Sequence, residues 1–580
     1  MNFFVTLWHI LNPMEKRIVE CVPNFSEGRN KEIIKSITEA IEAVEGVSLL
    51  DVDPGEATNR TVVTFAGEPE AVAEAAFQGI KRASELIDMS RHHGAHPRMG
   101  ATDVCPFVPV SGITLVECAE LARKLGQRVA DELGIPVYAY EASALRPERK
   151  NLAVCRRGEY EGLAERMGGS DGADYGDRAW DEQLARTGAT AIGARDFLIA
   201  VNFNLNSTST RRANAIAFDV REKGRPMREG GKLTGKPLKD ENGKPLMQPG
   251  TLKGTKAIGW YIDEYGIAQV SMNITDTAAT PLHEAFAEVC RKADARGVRV
   301  TGTEIVGLVP RKALLDAADY FLARQQRSLG IDDDEKIRLA IRSMGLDELK
   351  PFVPEEKIIE DVLEARRPQA PRLIDLSAKA FARTTASEAP APGGGSVAAY
   401  LGALGAALGA MVANLSAHKA GWDERWEEFS DLAVEGQKAM AHLLWLVDRD
   451  TESFNAIMAA MGMPKGTAEE RERRDAAIAT ATKEAVAVPY DTVRSAYGVF
   501  ALLKAVAAEG LPASITDAGV GALAARAAVR GALLNMQINA AGIAGDAEVE
   551  AWLADAQALA AEADALEQEI LQTVNSKIGK

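Results

Sequence analysis

Residues 91–109 read RHHGAHPRMGATDVCPFVP and gather three of the chain's seven histidines, Arg98 and Asp103 into a glycine-punctuated polar loop. An apolar run over 104–110 follows at once and suits a buried strand. Ionisable side chains on a loop held by a rigid strand are a common way to build an active site. Histidine titrates near neutrality, so this loop can supply a general base. Two other readings stay open. His93-x-x-His96 with Asp103 has a spacing that can suit a metal ion, although the glycines and Pro97 argue against one helix presenting both rings. The histidines can also simply satisfy loop backbone groups. Arg98 can hold a carboxylate through paired hydrogen bonds.

A second candidate lies far downstream. On a helix, Asp450 shares its face with Leu443, Leu446, Val447, Phe454 and Ile457, and Ser453 is the one polar neighbour. Asp448 is expected to point elsewhere, toward Glu452. A carboxyl on an apolar stripe should have a raised pKa and can trade protons near neutrality; the alternative is a buried polar pair that specifies a bundle. Upstream, Gly393, Gly394, Gly395 and Ser396 open a helix. Such glycines let backbone amides approach a ligand, and a helix start favours an anion; a flexible interhelical loop is the alternative. Asn24-Phe25-Ser26-Glu27-Gly28 links a strand to a helix, with Ser26 or Asn30 as N-cap. Asn59-Arg60 sits between two strands and reads equally well as turn chemistry or as a substrate anchor.

The elements that must position these residues change character along the chain. Up to about residue 370, apolar runs fit strands at 18–23, 48–52, 62–66, 104–110 and 137–140, and helical periodicity fits 31–43, 70–87 and 115–133. A second set follows: strand 197–205, helix 211–223, strands 257–262 and 268–273, helix 282–296, strand 299–306. The repeated order predicts an α+β fold with two ferredoxin-like βαββαβ subdomains packed together and a groove between them. Residues 232–252 read as an exposed insertion whose Asn242-Gly243 predicts a type I′ hairpin turn. Gly230–Pro237 nearly matches a phosphate-binding loop, but Pro237 stands where Ser or Thr must hold magnesium, which excludes an NTPase. Helices are expected at 310–323, 334–344 and 355–364, then a proline-rich linker at 366–371. Beyond it alanine dominates and no strand is visible. Helices at 373–383, 397–416, 423–461, 468–508 (bent near Pro489), 515–541 and 546–575 predict an up-and-down bundle.

The bulk numbers narrow the class. The chain has 580 residues, 46% of them hydrophobic, and a net charge of −16, which disfavours nucleic acid as a partner. The five cysteines, Cys21, Cys105, Cys118, Cys155 and Cys290, form no CxxC pair and argue for reduced thiols in the cytoplasm. The opening MNFFVTLWHILNP lacks a basic region and cleavage site, so residues 1–13 are read as an extension before a natural start at Met14. Residues 396–415 carry no charge, yet their Ala and Gly content suits a tightly packed helix better than a membrane span.

Longer strings then point to a family. VECVPNFSEGRN (19–30), LLDVDPGEATNRTVVTFAG (49–67), LIDMSRHHGAHPRMGATDVCPFVPVSG (86–112), GATAIGARDFLIAVNFNL (188–205) and AIGWYIDEYGIAQVSMN (257–273) resemble glutamate formimidoyltransferases. APGGGSVAAYLGALGAALGAMV (391–412), LVDRDTESFNA (446–456) and MPKGTAEERERR (463–474) resemble formimidoyltetrahydrofolate cyclodeaminases. Together they resemble the bifunctional formimidoyltransferase-cyclodeaminase family from Met14 onward.

The resemblance implies two linked steps of histidine breakdown. A formimino group moves from N-formimidoyl-L-glutamate to N5 of tetrahydrofolate, and ring closure to N10 then gives 5,10-methenyltetrahydrofolate and ammonia. It implies His96 as the transferase base and Asp450 as the cyclodeaminase proton shuttle, with no metal. Folate contacts carry over to the region before the Gly-Ala-Thr-Ala string, at Gly176, Asp177, Arg178, Trp180, Arg186, Thr187 and Gly188, and to Gly250. Gly393 to Ser396 would serve the bundle site. It also implies a polyglutamylated folate, a ring of dimers as homo-oligomer, and passage of the intermediate between the sites. The expected layout is 1–13 extension, 14–194 and 195–364 transferase subdomains, 365–372 linker and 373–580 bundle. Three other functions compete: a formyltransferase using N-formylglutamate, a metal-dependent hydrolase using His93, His96 and Asp103, and a non-enzymatic scaffold.

Overall fold

A computed structural model describes residues 17–56, 58–94, 97–231, 235–366, 372–543 and 545–578. His96, the N-terminal extension and most of the expected linker lie outside the described residues. The chain divides into two compact units, one spanning Met1–Ala317 with Ala340–Arg367, the other Ala318–Leu339 with Pro368–Lys580.

The first unit holds two sheets. The larger has seven strands: β1 (Ile18–Cys21), β2 (Asn24–Phe25), β3 (Val47–Gly55), β4 (Arg60–Gly67), β5 (Thr102–Ser111), β6 (Val137–Glu141) and β7 (Thr190–Ala194), in the order β1-β4-β2-β5-β7-β6, with β3 beside β4 and β1 also paired to β5. Helices α1 (Lys31–Glu42), α2 (Pro69–Leu86) and α3 (Leu115–Leu133) bury their apolar stripes on it. Local chemistry sets their ends. Asn30 caps α1 by accepting from Glu32 N–H and Ile33 N–H, and Thr114 with Glu117 forms a capping box on α3. Val19, Phe25, Phe65, Ile80 and Phe107 lie in the core between sheet and helices. Residues 142–189 cross the other face and bury Val104, Tyr138 and Tyr140 under Leu163 and Met167. This excursion returns as β7, which pairs parallel to both β5 and β6 and was not expected as a strand. Its TAIGA sequence is short and made of small residues, so it carries little alternation.

The second sheet is four-stranded. Strand β8 (Ile199–Leu205) is central; a short ribbon pairs β9 (Arg225–Pro226) with β10 (Met247–Gln248); β11 (Thr255–Ile262), β12 (Ile267–Ile274) and β13 (Val300–Val306) complete the order β11-β12-β8-β13. The short helix α4 (Glu182–Thr187) precedes β7, and α5 (Thr210–Val220) and α6 (Leu282–Asp294) connect the strands. The hairpin at 240–244 corrects the type I′ expectation. Asp240 N–H donates to Lys244 O at 2.8 Å and Gly243 N–H to Asp240 O at 3.0 Å. Gly243 has φ +75° whereas Asn242 is not among the positive-φ residues, so one left-handed residue closes a longer loop.

The second unit is all helical. It contains α7 (Ala378–Thr385), α8 (Gly394–Ala417), α9 (Trp426–Met461), α10 (Ala468–Glu509, continuous through Pro489), α11 (Ile515–Ala540) and α12 (Ala547–Lys577). Alanine and glycine dominate because the helices approach closely: a Cβ on Gly405 would lie 3.0 Å from Gly521 O. The uncharged α8 is 24 residues long and apolar enough to cross a membrane by composition, and 61% of its apolar window is buried inside the protein. Residues 318–339, expected with the transferase, group with this unit instead. Ser328 N–H donates to His418 Nε2 at 3.2 Å, Leu329 N–H to Ser430 Oγ at 2.9 Å, and Asn414 Nδ2 to Gly330 O at 2.7 Å.

Candidate active sites

Three loops of the first unit are sewn together by one side chain. Asn59 is buried and left-handed, φ +49°. Its Oδ1 accepts from Gly28 N–H at 3.0 Å and its Nδ2 donates to His93 O at 3.1 Å. His92 Nε2 lies 2.8 Å from Asn59 O, a carbonyl, so that nitrogen carries the hydrogen. Nδ1 then accepts from Arg98 Nε at 3.4 Å. Burial lowers the His92 pKa and so favours the neutral ring. Gly94 has no room for a side chain because Thr58 O occupies it. His92 is therefore a bracing residue, and Asn59 fixes the loop through both ends of its amide rather than offering them to a ligand.

Arg98, expected as a carboxylate anchor, already holds one. Its Nη1 and Nη2 donate to Glu161 at 2.8 and 2.7 Å, and Nη2 also reaches His92 O at 3.2 Å. The pairing raises the Arg98 pKa and lowers that of Glu161. Arg98 is buried while Glu161 is exposed, so the carboxylate is the member that can yield its place. Arg60 is half-buried and donates from Nε and Nη2 to Asn24 Oδ1 at 3.2 and 2.8 Å; burial lowers its pKa. Asp103, proposed above as a third metal ligand, is instead committed to Arg156 and to Met99 N–H. Arg156 and Glu161 were missed because their partners are 53 and 63 residues away.

The expected folate segment lies against this loop. Ala101 N–H donates to Thr187 O at 2.8 Å and Ala189 N–H to Met99 O at 3.0 Å. Gly188, φ +66°, permits that approach, since a Cβ there would overlap Met99 O. Asp177 Oδ1 accepts from Gly168 and Ala173 N–H, both at 3.1 Å, and Arg178 pairs with Asp181. These two close the loop on itself around Gly176. Trp180 meets Tyr160 edge-on at 5.8 Å, and Arg186 is exposed. Gly250 contacts the end of α5, donating to Glu222 O at 3.4 Å.

The second unit carries its own site. Asp450 on α9 meets the first turn of α8, where Ser396 Oγ donates to its Oδ2 at 2.9 Å. Burial raises the Asp450 pKa, and the Ser396 hydroxyl and amide partly offset this. A Cβ on Gly395 would overlap the carboxylate. The apolar stripe explains the placement: Leu443, Leu446 and Val447 are buried, whereas Phe454 and Met458 are exposed. Asp450 sits where the stripe leaves the core. Asp448 does not point to Glu452. It accepts from Leu373 N–H at 2.6 Å and so anchors the start of the bundle, while Arg449 takes Glu452 at 2.7 Å.

A mixed α/β unit with a histidine–arginine loop, followed by a helical unit with a half-buried carboxyl at a glycine-opened helix, defines a two-site fusion protein. Residues 18–195 match the family model for the formiminotransferase domain, N-terminal subdomain, residues 200–364 the formiminotransferase domain, and residues 377–558 the formiminotransferase-cyclodeaminase model. The chain is 44% identical over 524 residues to the formimidoyltransferase-cyclodeaminase of Gallus gallus, covering 90% of this chain and 92% of that one. It is 43% identical over 532 residues to that of Sus scrofa, covering 92% and 94%. Glutamate formimidoyltransferase of Streptococcus pyogenes is 43% identical over 307 residues, 53% of this chain and 93% of that one. The chain belongs to the formimidoyltransferase-cyclodeaminase family.

Proposed function

We propose that the chain transfers the formimino group of N-formimidoyl-L-glutamate to N5 of tetrahydrofolate, and then closes 5-formimidoyltetrahydrofolate to 5,10-methenyltetrahydrofolate with loss of ammonia. The observation that carries the second step is the Asp450 carboxyl, its pKa raised, held by Ser396 at the opening of α8. Ring closure moves one proton from N10 to the departing nitrogen. A carboxyl poised above its ordinary range can do both transfers. For the first step His96 is the base, taken from its place in the HPRMG string. Asn59, His92 and Arg98 brace the described residues on either side of that string, which suits a site that needs fixed geometry.

Arg186 is the exposed cation of the folate segment and can meet a glutamate tail, while Trp180, packed beside Tyr160, lines the segment. The other segment residues shape its backbone. Both sheet orders support ferredoxin-like subdomains: β3-β4-β1-β5 and β11-β12-β8-β13 place the strands of each β-α-β-β-α-β run in the same relation. Polyglutamylated folate, a ring of dimers and a cytoplasmic setting remain part of the proposal on family resemblance.

The test follows methenyltetrahydrofolate by absorbance after adding both substrates. Asp450→Asn should stop the signal while 5-formimidoyltetrahydrofolate accumulates. His96→Ala should abolish transfer and leave cyclisation of supplied 5-formimidoyltetrahydrofolate intact. Loss of both activities in each folded variant would overturn the two-site assignment.

A further inference from the structure

One polar side chain beside the bundle site has no assigned task. Asn535 lies on α11, where Ala532 and Ala528, one and two turns back on its face, are buried and Ile538, one turn on, is exposed. Asn535 itself is only partly buried, and Gly394 beside it is exposed. A Cβ on Gly394 would lie 3.3 Å from Asn535 Nδ2 and 3.5 Å from its Oδ1. A Cβ on the next residue, Gly395, would overlap the Asp450 carboxylate. Two polar side chains from different helices therefore flank a single peptide unit at the start of α8. A proton carrier and an amide thus stand beside adjacent residues of the helix opening.

Hydrogen bonding sets which end of the amide is on offer. Asn535 Nδ2 donates to Gly531 O at 2.8 Å, one turn back on its own helix. That leaves Oδ1 as the acceptor, and among the described residues it accepts no hydrogen bond.

We infer that Asn535 is a substrate-positioning residue of the cyclodeaminase site, its Oδ1 holding the nitrogen that departs as ammonia while Asp450 moves the protons. This rests on the proposed second step. In that step the substrate reacts as the amidinium, its exocyclic nitrogen already carrying two protons, and N10 attacks the formimidoyl carbon to form the new C–N bond. The N10 proton passes through Asp450 to the exocyclic nitrogen. The bond from carbon to that nitrogen then breaks, its electron pair leaving with ammonia and the methenyl cation remaining. The departing nitrogen carries N–H donors throughout, so it needs an acceptor. A neutral amide oxygen supplies one without placing a second carboxylate beside Asp450, where like charge would raise its pKa further.

The full-length chain tests this with supplied 5-formimidoyltetrahydrofolate, its transferase activity serving as internal control. Asn535→Ala should lower the cyclisation kcat by roughly 100-fold or more with a small change in KM and no change in transfer, as for other single groups aimed at a reacting atom. Asn535→Asp keeps the shape and adds a charge. It should move the acid limb of the cyclisation profile to higher pH, which a purely structural asparagine would not do. Wild-type kcat in Asn535→Ala overturns the inference, as does an unmoved acid limb in Asn535→Asp. If Asn535→Ala weakens the bundle, the shape-preserving Asn535→Asp decides. A wild-type chain that fails to cyclise at all would instead refute the proposed function.

Discussion

The carboxyl of Asp450 occupies the space in which a side chain on Gly395 would begin. Gly395 is not among the positive-φ glycines, so backbone conformation does not demand glycine here. Close approach does: the missing Cβ lets an acid on α9 reach the first turn of α8. Gly395→Ala should displace the carboxyl and cut cyclisation by at least about 100-fold, since misplacement by an ångström costs that much. Transfer should be unchanged. Methenyltetrahydrofolate formation from supplied intermediate, measured against the transferase rate, checks both.

Ser396 gives a prediction with a definite sign. Burial raises the Asp450 pKa and the Ser396 hydrogen bonds pull it back. If Asp450 must start ionised to receive the N10 proton, activity rises with pH through that pKa. Removing the hydroxyl in Ser396→Ala leaves the ionised form less stabilised, so the acid limb moves up. The variant should lose more cyclisation activity at pH 6 than at pH 8. A loss equal at both pH values would separate Ser396 from the protonation of Asp450.

The surroundings of Asp450 can be read from the chain because short-range periodicity carries them. Asp450 stands out as the acid on a helical stripe of Leu443, Leu446 and Val447, and those residues are buried as the stripe requires. The same logic misplaced Asp448, because a face gives direction but not partner, and Leu373 N–H arrives from 75 residues upstream. Arg98 was recognisable as a bidentate cation, yet its carboxylate is Glu161, reached only when 142–189 folds across the sheet. Asn535 carries no signal in the sequence, where Gln537 and Asn539 stand close by on the same helix, and gains meaning only when α11 lies beside Gly394.

Asn59 should be needed for transfer and not for cyclisation. Asn59→Ala removes two hydrogen bonds and puts alanine at φ +49°. Asn59→Gly removes the same bonds but tolerates the backbone. Unpairing buried groups costs roughly 1–3 kcal/mol, and the left-handed strain adds about 1 kcal/mol in the alanine variant alone. Both should lower transfer by more than about 10-fold, with the lower melting temperature in Asn59→Ala. Equal transfer by wild type and Asn59→Gly would show that the bracing is dispensable.

Glu20 supplies a stability test. It is 6% exposed on β1, and burial lifts its pKa to about 7, with Arg195 partly opposing the shift. A carboxyl whose folded pKa is raised is tolerated fully when protonated. Its contribution is therefore intact below the unfolded value near 4.5 and is lost as pH rises through about 7. The difference corresponds to about 3.5 kcal/mol at most, since one unit is about 1.4 kcal/mol. Glu20→Gln keeps the shape and cannot ionise, so it should raise the melting temperature of the first unit by several degrees at pH 8. At pH 4 the gain should vanish, because both residues are then neutral. Melting curves of the two chains across pH 4–9 check this, and a gain that stays constant across that range would show that ionisation of Glu20 is not its source.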